Sequence, residues 1–98
     1  MNEFLVETNT LNERIQKIYK FDNGYGASVI KGPNTYGGAD GLWELAVIDN
    51  FSPNFPDSLE EDETPWEICY TSGITDDVFG HLNDPEVDAI LRQIKDLV

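Results

Sequence analysis

Five apolar residues near the C-terminus, Val87, Ile90, Leu91, Ile94 and Leu97, recur at spacings of three, four, seven and ten from the first. They form one stripe along an α-helix, and a helix with a single apolar stripe needs a second layer to cover it. Asn83-Asp84-Pro85 supplies the start. Asp84 suits the N-cap, and Pro85 suits the first helical position, where its missing N–H loses nothing. The helix runs from there toward Val98, with Arg92 and Lys95 near the negative end of its dipole.

The covering layer is a sheet. RIQKIYKF (14–21) and ASVIK (27–31) are short, rich in β-branched and aromatic residues, and separated by DNGYG, so they read as a hairpin. After GPNTYGGADG comes LWELAVID (42–49), with Trp43, Leu45 and Val47 on one face and Glu44 interrupting the other. WEICYT (66–71) resumes the alternation, with Trp66, Ile68 and Tyr70 on one side and Glu67, Cys69 and Thr71 on the other. Phe4, Leu5 and Val6 form either an edge strand or a half-helical turn. Thr75 can cap a short helix whose first turn holds Asp76 and Asp77 and whose inner face carries Val78, Phe79 and Leu82. The expected fold is α+β: a small antiparallel meander of about four strands, with the C-terminal helix and the short preceding helix on one face.

At 98 residues the chain is expected to be a single domain, 1–98, carrying an acidic, proline-containing loop at 50–65. Its apolar content of 40% and aromatic content of 11% exceed what a disordered chain carries, despite the formal charge of −13. The single cysteine, Cys69, forms no internal disulfide and no C-x-x-C pair, which fits a reducing compartment. No apolar run is long enough to span a bilayer, and MNEFLVETNTLNER lacks the basic start and apolar centre of a signal peptide. A cytoplasmic location is the expectation.

Charge is distributed very unevenly. The basic residues are Arg14, Lys17, Lys20, Lys31, Arg92 and Lys95, so residues 32–91 contain no lysine or arginine, yet they hold fourteen acids. Binding a phosphate backbone or an anionic membrane requires cations that most of this chain lacks. Direct contact with nucleic acid or membrane is therefore not expected.

Several chemical readings compete with plainer ones. The glycines of GYG and YGGADG do not lead into a helix with a lysine, as a phosphate-binding loop does. Turn chemistry accounts for Gly24, Gly26, Gly37, Gly38 and Gly41, each expected at positive φ. Cys69 and His81 have no nucleophile context, and read as a buried sheet cysteine and a surface histidine on the short helix. Glu60 to Glu63 offer oxygen ligands without the spacing of a calcium loop. No catalytic residue, metal or cofactor is expected.

The remaining feature is the loop itself. Trp43 and Trp66 read as core. Phe51 and Phe55 lie among polar and proline neighbours, either pinning the loop to the domain or serving as anchors for a partner. Around them stand Asp57, Glu60, Glu61, Asp62, Glu63 and Glu67. A run of like charge is commonly only solvated. Here the acids extend onto the strands and both helix starts, a field suited to a basic protein surface and able to imitate the phosphates of a nucleic acid. The candidate partner-binding residues are therefore Phe51, Phe55 and these six acids.

NGYGASVIKGPNTYGGADGLWELAVID (23–49), WEICYTSGITDDVFGHL (66–82) and PEVDAILRQI (85–94) resemble a family of short, uncharacterised proteins encoded by tailed bacteriophages. The resemblance covers just over half of the chain and brings no catalytic residues. It implies a phage accessory protein acting in the host cytoplasm; with the acidic field, the expectation is a non-enzymatic protein whose target is a basic, nucleic-acid-handling host protein, as for an anti-defence inhibitor or DNA mimic. The alternatives are a small structural or assembly protein that self-associates through a sheet edge or aromatic patch, or a small-molecule binder with a pocket near Tyr25, Tyr36 and Trp43.

Overall fold

The computed structural model describes residues 2–11, 13–32, 41–56, 59, 63–69 and 79–97. A short 3-10 turn (Asn2–Phe4) leads into β1 (Leu5–Leu11), followed by β2 (Arg14–Lys20), β3 (Gly26–Lys31), β4 (Trp43–Asp49), β5 (Glu67–Ile68), β6 (Phe79–Leu82) and α1 (Asp84–Lys95). The first four strands form an antiparallel meander, and the outer side of β4 is shared by β5 and β6. β5 pairs at Ile48 and Asp49 and β6 at Trp43 and Leu45, so two short strands divide one edge. The fold is α+β, as the periodicity implied. Its N-terminal segment is both a helical turn and an edge strand.

Three expectations are corrected. The sheet has six strands among the described residues rather than about four, because the N-terminal segment and residues 79–82 each add one. Phe79–Leu82 is a strand, not the face of a short helix, and His81 sits on it with φ 59. Gly80 and a left-handed residue suit a helix poorly, while the open side of β4 offers backbone partners. Residues 75–78 lie outside those described. The cap of α1 is Asn83, one residue earlier than expected: its side chain accepts from Glu86 N–H at 2.9 Å, and Glu86 accepts from Asn83 N–H at 3.0 Å. This reciprocal pair satisfies two free donors of the first turn.

Residues alternate across the strands, so the sheet has two distinct faces. On one, α1 lies over β3 and β4. Val87, Leu91 and Ile94 are buried there with Tyr19, Val29, Trp43, Leu45 and Val47, whereas Ile90 is only half-buried. The opposite face is closed in part by the loop after β4, with Phe51, Phe55 and Trp66 packed against Ile18 and Ile48. Gly26 makes that closure possible. It does not supply positive φ, as Gly24 (φ +88) and Gly41 (φ +74) do; a Cβ on Gly26 would strike the Tyr19 carbonyl oxygen and come within 2.6 Å of Phe51 Cζ. Gly37 and Gly38 lie outside the described residues.

The C-terminal end of α1 is tied down by a residue from the β2–β3 turn. Asn23 Nδ2 donates to the carbonyls of Ile94 (2.8 Å), Lys95 (3.0 Å) and Leu97 (2.9 Å), while Asn23 Oδ1 accepts from Tyr25 N–H at 3.0 Å. One side chain thus satisfies carbonyls that a helix end leaves without partners and stiffens its own turn. Asn23→Ala is expected to cost about 1–3 kcal/mol in urea unfolding. Asn23→Asp should cost at least as much, because it keeps the Tyr25 acceptor but sets a carboxylate against the negative helix end. An unchanged unfolding midpoint in both variants would show that the cap carries no stability.

Candidate interaction surface

The arms of the loop between β4 and β5 are joined rung by rung. Asn50 Nδ2 donates to Glu67 Oε2 at 3.0 Å, Ser52 N–H to the Pro65 carbonyl at 2.9 Å, and Asn54 Nδ2 to Glu63 Oε1 at 3.2 Å. The rungs continue the β4–β5 pairing outward, and Phe55 N–H to Ser52 O at 3.0 Å turns the chain. Asp57, Glu60, Glu61 and Asp62 follow in sequence between the two arms and lie outside the described residues.

The two phenylalanines face inward. Phe55 is 5% exposed, and its ring lies 5.7 Å from that of Phe51, over Ile18 and Ile48. Phe51 is half-buried, with Lys20 Nζ 5.4 Å from its ring centroid. These rings hold the loop to the sheet, so Phe55 has no surface to offer as a partner anchor. The large apolar side chains exposed near the acids are Leu59 and, on β5, Ile68, each at 39%. With Trp66, Ile68 lines a shallow trough of about 250 Å³ that also includes Ile30, Arg14 and Glu44. Trp66 and Ile68 were legible as sharing one side of a strand; what the sequence hid was that this side is only partly covered.

Four of the described carboxylates are positioned by neutral donors. Glu63 and Glu67 accept from asparagine amides, Glu86 from the Asn83 backbone, and Asp84 Oδ1 from the indole Nε1–H of Trp43 at 2.7 Å. Such donors fix the geometry of a carboxylate without cancelling its charge. The exposed ion pair between Arg92 Nε and Asp88 Oδ2, at 2.8 Å, lies further along α1. The Arg92 hydrogen bond holds the Asp88 carboxyl below its ordinary pKa, and Asp88 in turn raises that of Arg92.

On the helix side, a cleft of about 180 Å³ lies between Lys17, Tyr19, Trp43, Asp84 and Asp88. Lys17 and Lys31 place their amines 5.1 and 4.5 Å from the centroid of the Trp43 ring. Burial, with the nearby Asp88 charge, raises the Tyr19 pKa. The cleft takes in Trp43 but not Tyr25, and Tyr36 is outside the described residues. Cys69 is buried and its backbone N–H donates to the Val47 carbonyl, while His81 is exposed. Among the described residues no group of three or more His, Cys, Asp or Glu is placed to hold a metal ion, and no helix is long and apolar enough to cross a membrane.

No family model, curated protein or solved structure matches the chain.

Proposed function

We propose that this is a non-enzymatic phage accessory protein of the host cytoplasm that binds a basic, nucleic-acid-handling host protein and inhibits or redirects it, as an anti-defence factor or nucleic-acid mimic does. The observation that carries the reading is that Glu67, Asp84 and Glu86 are held by amide and indole donors, which orient carboxylates without neutralising them. The proposed contact surface combines Glu67 and Glu44 with the exposed Ile68 and the trough beside Trp66. Apolar anchoring inside a charged rim gives a partner both residence time and orientation. The phage origin rests on the sequence resemblance alone.

The test is affinity capture from a bacterial host lysate, followed by binding of the captured protein in purified form. Association is expected to slow as salt rises, since the Debye length falls from roughly 10 Å at 0.1 M to about 3 Å at 1 M. Replacing Glu60, Glu61, Asp62 and Glu63 together by Gln and Asn should weaken binding about tenfold or more, chiefly through the association rate, and leave folding as stable or slightly more so. An affinity indifferent to both salt and these four changes would refute a recognition role for the acidic loop.

A further inference from the structure

We infer that the chain forms a two-fold dimer by pairing the outer edge of β1 with β1 of a second copy, independently of the proposed host partner. The first observation is which backbone groups point outward. Phe21 N–H donates to Tyr25 O, so the alternation along β2 and β3 directs the backbone groups of Tyr19, Lys17 and Ile15 toward β3. Those of Ile18, Gln16 and Arg14 then face β1, where they meet Glu7, Asn9 and Leu11. Thr8 and Thr10, which oppose Lys17 and Ile15, therefore aim their N–H and C=O groups away from the sheet. Among the described residues no strand pairs with that side, and Thr8, Asn9 and Thr10 are exposed.

The second observation is that this edge carries little of the usual protection, and none along residues 8–11. Natural edge strands are commonly blunted by lysine, proline or short length. β1 has seven residues, contains neither lysine nor proline, and bears one acid, Glu7, beside the irregularity between Leu5 and Glu7. The opposite edge is divided between β5 and β6.

Charge identifies the occupant as another copy. Within residues 1–31, Glu3, Glu7, Glu13 and Asp22 are balanced by Arg14, Lys17, Lys20 and Lys31, so the whole formal charge of −13 falls on residues 32–98. Two copies repel each other through most of their surfaces, and β1 lies at the neutral end of the sheet, across β2 and β3 from the acidic part. A two-fold axis at Asn9 pairs Thr8 of one chain with Thr10 of the other, satisfies all four outward amides, and sets the acidic surfaces at opposite ends. Cross-strand threonine pairs are favourable in such a ladder.

Sedimentation equilibrium tests this. The wild-type chain is expected at twice its 11.0 kDa mass, with dimerisation strengthening as salt screens the residual repulsion, the opposite of the salt dependence expected for a basic partner. Thr8→Pro with Thr10→Pro removes the outward amides without touching the β1–β2 ladder, and should weaken dimerisation on the order of a hundredfold while far-UV circular dichroism stays unchanged. If the prolines unfold the chain, Thr8→Lys with Thr10→Lys decides, because it places cations directly opposite cations. A wild-type chain that stays at 11.0 kDa at all concentrations and salts, or a dimer that survives the lysine or folded proline variants, overturns the proposal.

Discussion

Ile94→Ala is expected to lower the unfolding free energy by about 2–5 kcal/mol, the range for emptying a fully buried aliphatic site. Ile94 is 0% exposed and belongs to the cluster that joins α1 to β3 and β4. Its surroundings cannot close the gap cheaply, because its own carbonyl is held by Asn23 and the helix end cannot shift without breaking that bond. Ile90, on the same stripe but half-buried, should lose less on truncation, so the pair measures which side of the helix faces the sheet. For a domain of this size each kcal/mol moves the melting temperature by about 4–8 °C, so thermal unfolding resolves the difference. Equal losses at both sites, or none at Ile94, would mean that α1 is not packed as described.

The parts of the fold that could be read in advance are those with a long, clean period. The stripe of α1, the β2–β3 hairpin and the alternation of β4 each repeat a signal over several residues, which averages out local exceptions. The cap of α1 moved to Asn83 because Asn and Asp are both good caps; the spacing from Asn83 to Glu86, required for a capping box, was the signal that separated them. β6 was hidden because Thr75, Asp76 and Asp77 resemble a helix start, while its real determinant is nonlocal pairing with Trp43 and Leu45. Asn23 could not be read at all. It is a common turn residue whose acceptors begin 71 residues later in the chain. The second core face had a visible sign, since Ala46 and Ile48 make β4 apolar on both sides apart from Glu44, which implies a cover on each. Of the candidate site, the charge asymmetry was legible from composition. Which apolar residues stand exposed near the acids was not, because the inward seating of Phe51 depends on the bare backbone of Gly26.

Phe55→Ala separates the two roles an aromatic ring in this loop can play. A surface anchor would show its loss in the partner's dissociation rate and leave the free protein's stability almost unchanged. A ring 5% exposed over Ile18 and Ile48 should instead cost about 3–5 kcal/mol of folding free energy, as buried phenylalanines do. The loss extends beyond the cavity, because Phe51 loses its ring neighbour and the loop arms lose the contact that seats them on the sheet. The Ser52 N–H bond to Pro65 and the turn bond from the residue-55 N–H to Ser52 O should then open more readily, which amide hydrogen exchange at positions 52 and 55 would report. Ile68→Ala is the complementary variant. At 39% exposure it should leave stability within about 1 kcal/mol and act on partner dissociation. A stable Phe55→Ala protein with faster partner release would reverse the assignment, making the rings the contact surface and leaving Ile68 as ordinary exposed strand.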